Sequence, residues 1–273
     1  MNKLLNIGIV GCGAIGSSLA KAIMSDFAQQ AELVSLYDSD IEKAYNLANK
    51  FSNRKLAALN LDELINKADL VIEATKADSA FDIAKKAISS SRDILIMSVG
   101  GLIQHYGELE SLAREKKAGI YIPSGAVCGI DGLKAASFGK IKKVTLTTKK
   151  PPRAFAGSAF ALKKKIRLDA IDKDTVLFEG NALSAIRLFS QNVNVAATLS
   201  IAGIGPERTI VRIIASPSAK RNTHEIEIES DAGRIFTKTE NVIHPDNPKT
   251  SYLAVLSAIA TLKQILEPVR IGT

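Results

Sequence analysis

The chain has 273 residues, 46% of them apolar and 23% charged, with a formal net charge of +8. That length suits two modest domains, each with a core of its own, and the composition excludes disordered and fibrous classes. No apolar stretch approaches the ~18–20 residues that span a bilayer, so no membrane partner is expected.

The N-terminus opens with Lys3 before Leu4 and Leu5, as a secretion signal does. Glycines at 8, 11, 13 and 16 interrupt the apolar run, and a first strand without cleavage is the better reading. The cysteines, Cys12 and Cys128, are too few for a disulfide framework and not in metal-ligand spacing. A cytoplasmic location and no metal are the expectations that follow.

Leu4 to Val10 reads as a strand buried on both faces. Ala14 to Phe27 has helical periodicity through Leu19, Ile23 and Phe27. Leu33 to Tyr37 is a second strand, and Asp40 to Phe51 a helix capped by Ser39 or Asp40. Lys55 to Leu59 is a weak strand and Leu61 to Asn66 a short helix. Leu70 to Ala74 is a strand, Ser79 to Ile88 a helix, and Ile94 to Val99 a strand ending in Gly100-Gly101. Glu108 to Lys117 is a helix, and Gly119 to Ile122 a last short strand. Repeated βα units of this kind predict a doubly wound parallel sheet over residues 1–123.

The texture changes after Pro123. Ile141 to Thr148 alternates apolar and polar residues until Lys149-Lys150-Pro151-Pro152 breaks it. Ala182 to Phe189 and Val195 to Ala202 read as helices. Three strands follow, Thr209 to Ile214, His224 to Ile228 and Arg234 to Thr239, the last two joined by an Asp231-Ala232-Gly233 turn. Residues 124–246 therefore read as an α+β domain on a mostly antiparallel sheet. The segment 247–273 is a closing helix, capped at Asn247-Pro248 and packing back on the first domain. Leu253, Leu256, Ile259 and Leu262 form its apolar face. The fold class is α/β with this α+β second domain.

Gly11-Cys12-Gly13-Ala14-Ile15-Gly16 follows an apolar strand and opens a helix, and Asp38 ends the next strand. That is the complete context of a Rossmann dinucleotide site. Gly11 permits the tight turn, Gly13 the approach of backbone to pyrophosphate, and Gly16 close packing of helix on strand. The phosphates then meet free N–H groups at a helix N-terminus. Cys12 suits the loop by being small, although a thiol at a helix N-terminus can also be reactive.

Asp38 stands somewhat further from Gly11 than the usual ~20 residues, but at the required strand end. Its carboxylate can accept both ribose hydroxyls and would repel a 2′-phosphate, so NAD is expected over NADP. Ligands bind outside the carboxyl ends of such strands. Ala74-Thr75, Ser98-Val99-Gly100 and Ser124-Gly125-Ala126 are thus placed near the nicotinamide half.

A proton acceptor must come from elsewhere. His105 enters a helix and reads as structural, and His244 lies in a polar loop. On the strand that His224 begins, Asn222, His224, Ile226 and Ile228 share one face, with Thr223, Glu225, Glu227 and Glu229 on the other. The charged face is wet, so His224 points inward, the usual sign of a core histidine. The lysine clusters at 140–143, 149–150 and 163–165 read as solvated surface. No aromatic residue interleaves with them, so no nucleic-acid partner is expected.

Taken together, the chain resembles the L-aspartate dehydrogenases. The resemblance rests on Gly8-Ile9-Val10 with the glycine loop, and on Pro123-Ser124-Gly125-Ala126. It continues through Asn192-Val193-Asn194-Val195-Ala196-Ala197, Asn222-Thr223-His224-Glu225-Ile226 and Asn247-Pro248-Lys249-Thr250-Ser251. It departs from the family at Cys128, where relatives often carry alanine or glycine.

The resemblance implies NAD- or NADP-dependent oxidation of L-aspartate to iminoaspartate, which hydrolyses to oxaloacetate and ammonia. It also implies His224 as the catalytic residue, and Ala126 and Asn194 as cofactor contacts. A homodimer and transfer of iminoaspartate to quinolinate synthase for NAD biosynthesis belong to the same expectation. An imidazole with a pKa near 7 would suit the base. Lys249 with the Thr250-Ser251 helix start, Arg153 and the Lys149-Lys150 pair are the candidates for holding the substrate carboxylates. A homoserine dehydrogenase, a dihydrodipicolinate reductase and a non-catalytic dinucleotide sensor are the alternatives.

Overall fold

The computed structural model describes residues 3–156, 159–189, 194–245 and 247–272, without the side chains of Ala159, Pro248 and Lys249. The chain divides into two compact units, Met1–Pro123 with Val255–Ile271, and Ser124–Ala254 with Gly272–Thr273.

The first unit is built on five parallel strands: β1 (Leu5–Val10), β2 (Ala31–Tyr37), β3 (Leu70–Glu73), β4 (Asp93–Ile96) and β5 (Ile120–Tyr121). Their order is β2-β1-β3-β4-β5. The chain thus leaves β1 to one side and returns to its other side at β3, which makes the carboxyl ends of β1 and β3 the switch point. Helices α1 (Ala14–Ser25), α2 (Ile41–Lys50), α3 (Leu61–Lys67), α4 (Ala77–Ser89) and α5 (Tyr106–Lys116) fill the connections.

Strand alternation sends side chains into two separate layers. Leu70, Ile72 and Leu95 join the core with Leu19, Ile23 and Leu47, while Val71, Ile94 and Ile96 join Leu64, Ile83 and Leu109. Burial on both faces is why these strands are almost wholly apolar.

The predicted strand at Lys55–Leu59 does not form. Arg54–Leu56 is a turn of 3-10 helix, and a single parallel bridge, Leu36 to Ala57, with a Ser35 Oγ bond to Leu56 O at 3.5 Å, takes the place of a ladder with β2. Leu56 and Ala58 are its buried anchors, while Arg54 and Lys55 before them are exposed.

The second unit carries a five-stranded sheet of order β10-β9-β6-β8-β7. Its strands are β6 (Ile141–Lys150), β7 (Thr175–Asn181), β8 (Ile210–Ala215), β9 (Asn222–Ser230) and β10 (Gly233–Asn241). Only β6 and β8 run parallel; the other pairings are antiparallel. One face packs on α6 (Ile130–Ala136), α8 (Ala182–Leu188) and α9 (Asn194–Ala202) through Val144, Leu146, Ile213, Ile226 and Ile228. The strand β7, the helix α6 and the short helix α7 (Ala159–Lys163) were not foreseen. Thr175–Asn181 alternates weakly, with Gly180 and Asn181 at its end reading as turn residues.

Two ends shift. β6 does not break before Lys149-Lys150 but runs through both, since Lys150 O accepts from Ser216 N at 2.8 Å beyond the β8 ladder. Asn247-Pro248 does not cap the last helix. Residues Asn247–Ser251 form β12, paired with β11 (Ile243–His244), and α10 begins only at Tyr252 and ends at Leu266. Its buried face is Val255, Ala258 and Leu262; of the predicted stripe Leu262 is buried and Ile259 packs on the core, while Leu253 and Leu256 are exposed.

Candidate functional site

In the first unit the glycine loop has the geometry its residues require. Gly11 lies at φ +98°, and a Cβ there would stand 2.4 Å from the Ala74 carbonyl oxygen. The turns after β1 and β3 therefore touch at the switch point, and Ala74 N donates to Val10 O at 2.8 Å. A Cβ on Gly16 would fall 1.9 Å from Gly11 O, so only glycine lets α1 close onto the strand. A Cβ on Gly13 would meet nothing within 4 Å. The backbone beside it is open, while Ala14, Ile15 and Gly16 begin α1 with N–H groups that no helical carbonyl can reach. This cradle fits the pyrophosphate of a dinucleotide.

Asp38 is tied to the loop. Its carboxylate accepts from Cys12 N at 2.8 Å and from Asp40 N at 3.0 Å. A carboxylate has about four acceptor positions, so both ribose hydroxyls can still be served. Cys12 is buried, and desolvation followed by the Asp38 charge pushes its thiol up to about 12. Such a thiol is inert near neutrality, and packing accounts for the residue.

Glu73 was missed by the sequence reading. It ends β3 fully buried, and its carboxylate fills two loops at once. One oxygen accepts from Thr75 N at 2.7 Å and Thr75 Oγ1 at 2.6 Å, the other from Met97 N at 3.2 Å and Ser98 N at 2.9 Å. Ser98 Oγ donates in turn to Thr75 O at 2.9 Å. The segments Ala74-Thr75 and Ser98-Val99-Gly100 are thereby fixed to one another at the carboxyl edge of the sheet. A charged residue closing an apolar strand was the signal available.

In the second unit His224 is 5% exposed and points inward with Ile226 and Ile228. Register places Thr148 and Thr239 on either side of it. The row Thr148–His224–Thr239 is where the inward face turns from apolar to polar. Val144, Leu146, Ile226 and Ile228 lie before it; Lys150, Asn222 and Asn241 lie beyond. His224 Nδ1 is 2.9 Å from Thr148 Oγ1. If Nδ1 donates to the hydroxyl, Nε2 keeps a lone pair for proton transfer. Desolvation, aided by the Lys150 charge, lowers the His224 pKa to about 3, well below the expected value near 7.

Ala126 joins this end of the sheet. Its carbonyl accepts from Thr239 Oγ1 at 3.1 Å and Asn241 Nδ2 at 2.9 Å. That second bond fixes which way the Asn241 amide faces and leaves buried Oδ1 without a partner among the described residues. Asn194, exposed, is the first residue of α9; Asn192 and Val193 before it lie outside the described residues.

The other histidines differ from expectation in one respect. His105 is half exposed, stacked on Phe81 at 4.6 Å. His244 is not in a polar loop but buried in β11, its ring 5.5 Å from that of Tyr252. The lysine runs are also not uniformly solvated. Lys163, Lys164 and Lys165 are exposed, but Lys150 is 7% exposed on the His224 face.

Comparison with known proteins agrees with this division. Residues 11–123 match the family model described as homoserine dehydrogenase, NAD binding domain. Residues 131–265, which hold His224, match the model described as aspartate dehydrogenase, C-terminal. The L-aspartate dehydrogenase of Methanosarcina mazei is 47% identical, over 99% of this chain and 100% of that one. The chain belongs to the aspartate dehydrogenase family. The L-aspartate dehydrogenase of Methanococcus maripaludis is 43% identical over the same shares. The solved aspartate dehydrogenase of Thermotoga maritima covers 99% of this chain and 100% of its own, with a TM-score of 0.78 at 23% identity, a likeness of fold.

Proposed function

We propose that the chain oxidises L-aspartate with a pyridine nucleotide to iminoaspartate, which water converts to oxaloacetate and ammonia. The carrying observation is a buried imidazole at the polar end of an otherwise apolar face, in the unit whose sequence matches the aspartate dehydrogenase C-terminal model. The match of the first unit to a homoserine dehydrogenase model concerns cofactor binding and does not extend to the residues around His224.

The nicotinamide, when bound, accepts a hydride from the substrate α-carbon. The glycine loop and the start of α1 hold the phosphates, and Asp38 holds the ribose. Asp38 supports NAD over NADP, because a 2′-phosphate there would meet the carboxylates of Asp38 and Asp40. Ala74, Thr75, Ala126 and Asn194 complete the cofactor contacts in this reading. His224 Nε2 takes a proton from the substrate amine or from the attacking water, and Thr148 holds the ring. A cytoplasmic homodimer handing iminoaspartate to quinolinate synthase for NAD biosynthesis is the cellular setting that the family resemblance supports.

The test is aspartate-dependent absorbance at 340 nm in the presence of NAD, with a panel of other amino acids alongside. Turnover of homoserine in place of aspartate, or no turnover with any amino acid, would overturn the reading. The second result would favour a dinucleotide sensor.

A further inference from the structure

A dicarboxylic amino acid needs positive charge where its carboxylates sit, and the structure separates the cations that sequence left open. Lys149 points to the outer face of the sheet, 3.5 Å from Glu225. Arg153 is exposed in the turn after β6. The side chain of Lys249 lies outside the described residues. Lys150 remains, on the inward face that Val144, Leu146 and Thr148 define along β6.

Register makes the placement specific. Thr148 pairs with His224 and Lys149 with Thr223, so Lys150 lies in the row of Asn222, one row beyond the imidazole. Asn222 pairs in turn with Asn241, whose buried Oδ1 has no partner among the described residues. An ammonium in this row complements a carboxylate, and the partnerless Asn241 Oδ1 marks the row as open to a polar ligand. Alternate residues along a strand stand about 7 Å apart, which suits the carboxylate farther from the amine that His224 serves. Burial of the ammonium lowers the Lys150 pKa to about 8.

We infer that Lys150 is the specificity-determining residue of this site, its ammonium receiving the side-chain carboxylate of a dicarboxylic amino acid. The inference rests on the function proposed above.

The experiment compares wild type with Lys150→Met, and with Lys150→Gln should the first fail to fold. Four quantities are measured: KM for L-aspartate, inhibition constants for succinate and for propionate, and NADH affinity by fluorescence. Loss of a buried charge partner should raise the aspartate KM and the succinate constant at least ~30-fold, and change the propionate constant less than ~3-fold. NADH affinity should hold. A general loosening of the site would move all four together, and that result, or an unchanged succinate constant, overturns the inference. Wild-type protein inactive with aspartate overturns the proposed function and this inference with it.

Discussion

The glycine loop offers a paired perturbation whose two members should behave oppositely. At Gly16 a methyl group would stand 1.9 Å from a backbone oxygen, which cannot rotate away as a side chain can. Overpacking of this kind costs about 1–3 kcal/mol, and the backbone contact argues for the upper part of that range. For a chain of this size each kcal/mol moves Tm by roughly 2–4 °C, so Gly16→Ala should melt at least ~4 °C lower. At Gly13 the methyl group meets nothing, and φ is −74°, which alanine adopts freely. Loss of an N-cap glycine costs up to ~1 kcal/mol, and reduced freedom of the unfolded chain returns about 0.4–1, so Tm should stay within ~2 °C. The same methyl group would stand where the backbone must approach the pyrophosphate. NADH affinity should therefore fall at least tenfold, or ~1.4 kcal/mol. Differential scanning calorimetry without cofactor and a fluorescence titration with NADH measure the two quantities separately. Unchanged NADH affinity in Gly13→Ala would refute the placement of the phosphates; an unchanged Tm in Gly16→Ala would refute the close approach of α1.

His224→Gln should lower turnover at least ~100-fold with NADH affinity unchanged. Because the His224 pKa is depressed to about 3, the unfolded chain binds a proton below ~6.5 that the native state refuses; stability is lost as pH falls from there toward 3, by up to ~1.4 kcal/mol per unit, and the variant should lose less over pH 4–6.5. Asp38→Ala should shift the ratio of NADP to NAD efficiency at least tenfold toward NADP, measured by initial rates; an unaltered ratio would remove Asp38 from the ribose. Glu73→Gln must turn an amide N–H toward a pair of donors, and should cost ~2–4 kcal/mol by calorimetry while raising the KM for NAD. A maleimide at pH 7.5 should label exposed Cys128 quickly and Cys12 slowly, read by mass spectrometry.

What the sequence disclosed follows from how local each feature is. The parallel strands were legible because burial on both faces leaves an uninterrupted apolar run, as in Val71 and Ile72. The glycine loop was legible because its spacing after an apolar strand and before a helix is itself local, although Gly11 also answers to the turn after β3. Thr175–Asn181 was not, since it is half exposed and bends at a register shift between Val176 and Phe178. The start of α10 was misplaced for a similar reason. Asn247-Pro248 is a sound local cap signal, but pairing of β12 with β11 overrides it. Glu73 escaped because its four donors come from two segments that only the sheet brings together.

His224 shows where pattern and role meet. Alternation alone made it a core histidine, the resemblance made it a base, and its position satisfies both. It occupies the row of β9 where the inward face turns polar, with Ile226 beneath it and the row of Lys150, Asn222 and Asn241 above. Burial is what keeps the imidazole neutral, and therefore able to accept a proton, at any pH near neutrality. The same burial makes it a weak base while the Lys150 ammonium faces it unscreened by a substrate. A carboxylate bound at Lys150 would offset that charge and raise the proton affinity of His224 as the substrate arrives. A monocarboxylic amino acid would bring no such compensation. Discrimination between substrates would then reside partly in the strength of the base, and would appear as a loss of kcat as well as a rise in KM.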